Sequence, residues 1–323
     1  MRSESAQAIL SGATMSEWTP DIARLRAYDD EEWLRVERTY CGRLMAYVAR
    51  RVADAQARED VVQEAFLGAV RGIGSFDEVY TFEQYLFGIC RNRTIDHLRR
   101  RRTRGLGAAE DSDDLRPGIE DLAREVATPS GIVHSSQVAD EGHELLVRVL
   151  RDWVQETWQL GEFVRLMVVE ALLGAGWRNR DTWERFGLRD ETAVAGIKFR
   201  ALKRMREMAR RRDPSGERVP ALAELTADGA AHLDLGVREA WREGRVACPA
   251  RYWLARSLEG TLPPGPRSFV EFHLEEMECP WCRANLDDLA RAGAAGLEAV
   301  VERVGRTTVE YLRSRSLAGE EER

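Results

Sequence analysis

Apolar residues in this chain recur three and four positions apart, and no clear period-two run stands out. Trp33, Val36, Tyr40, Leu44, Tyr47 and Val48 form one series. Val62, Phe66, Ala69, Val70 and Ile73 form a second, and Tyr85, Leu86, Ile89, Cys90, Ile95 and Leu98 a third. A 3.6-residue period places such residues on one stripe of a helix, whereas a half-buried strand needs strict alternation. The expected fold class is therefore all-α. The three series make one compact helical domain over residues 20–104. Residues 105–135 are rich in Gly, Pro, Ser and acid, have little periodicity, and read as a linker with a short helical piece. Helical patterning resumes over residues 136–212, broken near Gly174–Trp177 and at Gly187. After a polar stretch at 213–220, a third helical region, residues 225–323, carries its own Cys and His signal. With 44% hydrophobic residues in 323, the chain can bury real cores in two or three small domains.

The net charge of -7 argues against a nucleic-acid partner until its distribution is read. Between Arg91 and Arg104 stand seven Arg and one acid, Asp96; between Lys198 and Arg212 stand eight Lys or Arg and one acid, Glu207. The first segment is no disordered tail, because Ile95 and Leu98 continue the apolar spacing from Ile89. A solvated helix face stays open as a reading. A nucleic-acid surface is favoured, because dense Arg on one helix repels itself and a phosphate backbone relieves that repulsion. Asn92, Asp96 and His97 are short polar groups able to reach base edges or order neighbouring Arg. Phe76, Tyr80, Phe82, Tyr85 and Phe87 lie just upstream; such rings suit unstacked bases, or else they are core. No stretch nears the ~20 apolar residues of a membrane span. The N-terminal residues lack the pattern of a signal peptide, so a cytoplasmic protein without a membrane partner is expected.

Residues 59–66 read EDVVQEAF, an amphipathic helix start with its acids in the first turn, where the helix dipole favours them. Asp60 and Glu64 share a face beside Gln63, while Val62 and Phe66 point inward. Ordinary solvated charges would give the same pattern. In order, EDVVQEAFLGAV (59–70), SFD (75–77) and TFEQYLFGICRNRTIDHLRRRR (81–102) resemble region 2 of bacterial RNA polymerase sigma factors, especially the extracytoplasmic-function (ECF) type. The resemblance implies that Asp60, Gln63, Glu64 and Phe66 contact the β′ clamp helices of core polymerase. It implies that Ser75, Phe76, Asn92, Asp96, His97, Arg99 and Arg100 open and hold the promoter -10 element. Tyr85 stands where many members have Trp.

Residues 178–207 read RNRDTWERFGLRDETAVAGIKFRALKRMRE. Asp181 to Phe186 fit a short helix, Gly187 a turn where positive φ is cheap, and Arg189 or Asp190 the start of a second helix. Val194, Ile197, Ala201, Leu202 and Met205 would face inward; Thr192, Ala193, Lys198, Arg200, Lys203 and Arg204 would face outward. A recognition helix reads bases with its N-terminal residues and holds phosphates with flanking cations. The segment resembles sigma region 4, which implies -35 contacts by Arg189, Thr192, Ala193, Lys198 and Arg200 and a second docking point on the β flap. Two departures stand out: Trp183 replaces the usual small residue four before the turn Gly, and the Gly187-to-Val194 spacing is one residue longer.

Cys248 is followed by His273-x5-Cys279-x2-Cys282. Three thiolates and one imidazole make a closed tetrahedral zinc set. Two other readings stay open: free Cys with a surface His, or a redox pair of thioredoxin kind, which lacks its preceding strand. The segment resembles the zinc-binding anti-sigma domain, though the usual His-to-Cys gap is three. A fused copy implies a zinc ion, structural or redox-sensing, in a module that folds onto the first two domains of its own chain. Together these readings describe an ECF-type sigma factor with a regulatory zinc-binding extension, not an enzyme. The alternatives are a helix-turn-helix regulator that does not partner polymerase, and a zinc or thiol enzyme built on the Cys-Pro-Trp-Cys segment.

Overall fold

The computed structural model describes residues 18–78, 80–104, 137–214, 230–291, 300–308 and 311–312. The linker expected over 105–135 lies outside them. Among the described residues the chain is all-α, with no strand.

Helices α1 (Ile22–Arg26), α2 (Asp30–Ala49), α3 (Ala55–Gly72) and α4 (Phe82–Arg104) form the first unit. Each start is chemically marked. Asp29 accepts from the Glu32 N–H at 2.9 Å and Asp54 from the Ala57 N–H at 2.7 Å. At α4, Gln84 Oε1 accepts from the Thr81 N–H at 2.8 Å and Thr81 Oγ1 from the Gln84 N–H at 3.2 Å, a reciprocal capping box. Trp33, Tyr47, Phe66 and Phe87 are fully buried between these helices.

The second unit comprises α5 (Gln137–Gln159), α6 (Phe163–Val169), α7 (Asn179–Phe186) and α8 (Glu191–Arg212). Helix α6 runs on into a π-helical turn, Glu170–Ala175, closed by Gly176 at φ 73°. This turn is the sequence break expected near Gly174. A further break, with Gly161 at φ 72°, separates α5 from α6 and was not evident from the periodicity.

Helices α9 (Ala230–Glu243), α10 (Arg251–Leu258), α11 (Pro264–Glu275) and α12 (Pro280–Arg291) follow. Leu254, Leu262, Val270, Leu274 and Cys282 form their own small cluster. The rest of their apolar surface belongs to the other two cores. Ala284 of α12 joins the first, while Trp241 of α9 and Phe269 and Phe272 of α11 join the second. Trp281 is the most intimate of these contacts. Its ring stacks on Tyr47 at 5.1 Å with planes 1° apart and meets Phe87 edge-on at 5.2 Å. The Arg245 guanidinium covers it at 4.3 Å.

Polar bonds reinforce the seam. Arg50 pairs with Asp287 at 2.7 Å. Arg43 and Arg245 each approach Glu83 at 3.5 Å, and Asn285 donates to it at 3.2 Å. Burial pushes the Glu83 carboxyl up, but Arg245, Arg43 and Asn285 together hold it below the usual range. Residues 300–308 are helical and lie on α2 and α3, with Val304 buried in the first core. Gly305 permits the approach: a Cβ there would stand 2.8 Å from a Glu37 carboxylate oxygen. Burial beneath this segment pushes Glu37 up to about 7, against the opposing Thr308 hydroxyl.

Two outcomes follow. Trp281→Ala removes a stacked ring and leaves a void between Tyr47 and Phe87, which should lower stability by about 3 kcal/mol in denaturant titration and speed hydrogen exchange in α12. Glu37 has a raised value in the docked state, so its contribution to docking is complete below its ordinary value of 4.5 and is lost as pH rises through about 7. Exchange in residues 300–308, corrected for intrinsic rate, should therefore be faster at higher pH, and Glu37→Gln should remove that difference.

Candidate nucleic-acid interface and metal centre

Helix α3 begins at Ala55 with Asp54 as its cap, so Glu59 and Asp60 sit beyond the first turn rather than in it. The capping acid is Asp54, five residues before Glu59. Asp60 and Glu64 are exposed on one face with Gln63 half-buried beside them. Asp60 accepts from the Gln56 amide at 3.1 Å. Phe66 corrects the expectation of a partner contact: it is completely buried and supports the helix from beneath. Glu59, next to this face, is gripped by Arg303 of the terminal segment at 2.8 Å. Nothing in the local sequence links residues 244 positions apart, so that pairing was invisible before folding.

On α4, Asn92, Asp96 and His97 are half-exposed, and Arg99 and Arg100 are exposed. Asn92, Asp96 and Arg100 recur at four-residue spacing and so share a face. Arg91 departs from the expected phosphate-facing set, being 4% exposed and directed into the protein. Ser75 is exposed in a 3-10 turn, its hydroxyl donating to the Gly72 carbonyl at 3.0 Å. Phe76, expected at the promoter, is a second correction. It is buried against Tyr85 at 4.8 Å and Phe82 at 6.1 Å, and its carbonyl accepts from Arg26 at 2.9 Å. The core reading thus holds for Phe76, Phe82 and Phe87, while Tyr80 and Tyr85 are half-buried.

Helices α7 and α8 meet at Gly187, whose φ of 60° is the left-handed turn that glycine favours. Asp190 caps α8 by accepting from the Ala193 N–H at 2.8 Å. The buried small residue of α7 is Thr182, five before the glycine; Trp183 packs half-buried against Val168, Leu172 and Val194. Of the residues expected inward, Val194, Ala201, Leu202 and Met205 are buried and Ile197 is half-buried. Of those expected outward, Arg189, Thr192, Arg200 and Lys203 are exposed. Ala193 and Lys198 are half-buried, and Arg204 is drawn back onto Glu156 of α5 at 3.0 Å. Phe199, 61% exposed on the Thr192 side, is a surface aromatic that the charge pattern did not single out.

Cys248, His273, Cys279 and Cys282 converge, their ligand atoms all within 4.8 Å of one another. Cys248 and Cys279 sulfurs are 3.7 Å apart, and two thiolates on one tetrahedral zinc stand about 3.8 Å apart. His273 Nδ1 is taken by Glu170 at 2.8 Å, while its buried Nε2 has no partner among the described residues. That orphaned nitrogen and the sulfur spacing fit a metal. Hydrogen bonds from Cys248 and Cys282 hold the Cys279 thiol well below its usual range, while sulfur neighbours raise Cys248 and Cys282. Three adjacent thiols cannot all ionise alone; a dication lets them, with release of protons. Cys279 stands just before α12, Cys282 in its first turn and His273 on α11. Glu170 arrives from the π-helical turn of the second unit, an outer-sphere partner that sequence spacing could not reveal. Burial raises the Glu170 carboxyl, opposed by His273.

Residues 38–104 match the family model of sigma-70 region 2. A probable RNA polymerase sigma factor from Haemophilus influenzae is 34% identical over 58 residues, which is 18% of this chain and 30% of that protein. The chain thus matches less than a third of that relative's length. No solved structure matches. The family match falls within the first unit. No helix among the described residues is long and apolar enough to cross a membrane.

The Cys/His cluster makes a direct prediction if it holds zinc. The purified chain should carry one zinc by atomic emission, and Cys282→Ser should lose it. Glu170→Ala keeps all four ligands but frees the imidazole to rotate, and should weaken zinc about 10- to 100-fold in competition with a chromophoric chelator.

Proposed function

We propose that this chain is an ECF-type sigma factor that binds core RNA polymerase, directs promoter-specific initiation, and carries its own regulatory module. The observation that carries this reading is the match of residues 38–104 to sigma-70 region 2, on a unit whose exposed faces hold the expected polar groups. Asp60, Gln63 and Glu64 would meet the β′ clamp helices. Ser75, Asn92, Asp96, His97, Arg99 and Arg100 would engage the -10 element, the arginines neutralising phosphates while the short polar groups read or position. Phe66 and Phe76 shape these surfaces from within. Helices α7 and α8 would serve as region 4, with Arg189, Thr192 and Arg200 at the -35 element, Lys198 and Ala193 at its margin, and the β flap as the second docking point. Such work takes place with the polymerase, in the cytoplasm.

Residues 225–323 would be the regulator. Trp281 ties the Cys/His segment to the first unit, Arg303 holds Glu59 beside the polymerase-facing acids, and Glu276 pairs with Arg185 of α7. A closed form of this kind competes with polymerase for the same surface. Zinc held by Cys248, His273, Cys279 and Cys282 would fix the fold of that regulator. With all four positions filled by protein, the metal has no open site for hydrolysis, which disfavours the enzyme reading. A DNA-binding regulator that does not use polymerase is the second reading, favoured by Trp183 at the helix-turn-helix junction.

The two readings separate in one set of assays. Asp60→Ala or Gln63→Ala should cut capture by β′ clamp helices about tenfold, and with it promoter-specific run-off transcription with core polymerase. Trp281→Ala and Arg303→Glu should raise transcription about fivefold by weakening closure. Point variants serve better than truncation, because Trp241 and Phe269 belong to the second core. Absence of promoter-specific transcripts from every variant would overturn the sigma reading.

A further inference from the structure

Phe199 stands on the open face of α8 with 61% of its surface exposed. The other large apolar residues exposed among the described residues, Leu160, Val164, Tyr252 and Leu258, lie outside α7 and α8. Seven residues make two turns of helix, so Phe199 shares its face with Thr192, while Ala195 and Lys203 stand one turn to either side. Thr192, Ala195, Arg200 and Lys203 are all exposed. Gly196 adds no side chain to this face, and a Cβ there would stand 3.3 Å from Arg200 Nη1. The Phe199 ring meets no other ring and no guanidinium among the described residues.

The C-terminal helices reach the helix-turn-helix from another side. Glu276 pairs with Arg185 of α7, and Phe272 of α11 packs on Phe186 at 5.4 Å and on Trp177 at 6.1 Å. None of these contacts falls on the face that carries Thr192, Phe199 and Lys203, so the closed arrangement leaves that face open. Of the two acids of α8, Glu207 pairs with Arg204 at 3.4 Å, and Glu191 stands in the first turn, two turns before Phe199. A lone exposed apolar residue is ordinary on a protein surface. A ring beside exposed cations on the second helix of a helix-turn-helix suits a partner that is anionic at its rim and apolar at points within. The major groove of DNA is such a partner: it is about 12 Å wide, admits a helix between two phosphate backbones, and presents the thymine C5 methyl as its apolar group.

We propose that Phe199 reads a thymine methyl in the major groove, while Arg200 and Lys203 hold neighbouring phosphates. The proposal rests on the assignment of α7 and α8 to -35 recognition and adds to it a residue that sets base preference. The contact is apolar, so it favours thymine over every base that lacks the methyl without adding to the salt dependence of binding. A protein partner or a second copy of this chain covering Phe199 would be indifferent to that methyl.

The test selects duplexes from a randomised pool with the full-length, zinc-loaded chain, alone and with core polymerase. Each thymine of the selected site is then replaced singly by deoxyuridine, which lacks only the methyl. Anisotropy titration at fixed salt should find one thymine whose replacement weakens binding about fourfold. Phe199→Ala should weaken the unmodified duplex by about the same factor and no longer distinguish thymine from deoxyuridine at that position. Its thermal transition, its response to the other thymines and the slope of log Kd against log salt should be unchanged. Phe199→Gln, which also lacks the ring and favours a helix, serves the same purpose should the alanine variant not fold. A selected site with no methyl-sensitive thymine, or a folded variant that still discriminates, would overturn the proposal and leave the promoter reading standing. Enrichment of no sequence in either condition would overturn both.

Discussion

The arrangement of this protein turns on one indole. Trp281 lies flat on Tyr47 and edge-on to Phe87, with Arg245 above it. It stands between Cys279 and Cys282, so the loop that can clamp a metal is also the wedge that fills the first core. A stacked, partly buried tryptophan combines large apolar area with specific ring geometry, which makes it an effective anchor. Around it, the half-exposed Arg50–Asp287 pair adds orientation more than energy. The largely buried Glu83, Arg43 and Arg245 instead depend on one another, since a buried charge is costly to leave without its partners. Remove the ring and the polar seam loses the surface that excludes water from it.

A second anchor couples the same loop to the other unit. The π-helical turn widens α6 by one residue and brings Glu170 onto His273. Such turns are rare and cluster at functional positions, because they redirect a side chain that a regular helix would place elsewhere. Metal ligands commonly have a carboxylate holding the far nitrogen of a histidine. Here that carboxylate comes from a different unit, so a change at the Cys/His centre is felt at Trp281 on one side and at Glu170 on the other.

Charge is deployed by position. The seven arginines that close α4 do not act alike: Arg91 turns inward, while Arg99 and Arg100 face solvent. On α8, Arg204 returns to Glu156 and Arg200 stays exposed. A net charge of -7 therefore coexists with exposed basic patches, because the compensating acids lie elsewhere.

Helical period and the glycine turn at Gly187 are local properties, and they were legible in the sequence as such; the start of α3 was not, since Asp54 rather than the acids at 59 and 60 begins it. Also legible was the grouping of Cys248, His273, Cys279 and Cys282 as side chains that could hold a metal, because few residue types can do so. Glu170, which holds His273 from another unit, has no such local signal. Burial of Phe76 was underdetermined, since an aromatic beside a charged face suits a partner and a core equally well, whereas the helical pattern already turned Phe66 inward and only the family resemblance set it at a partner. What the sequence determined by itself was an all-α chain with two basic helices and a clustered thiol set. Tertiary structure alone decided where residues 230–291 and 300–308 go, because the contacts that place them join residues up to 244 positions apart, and no local spacing encodes such a pairing.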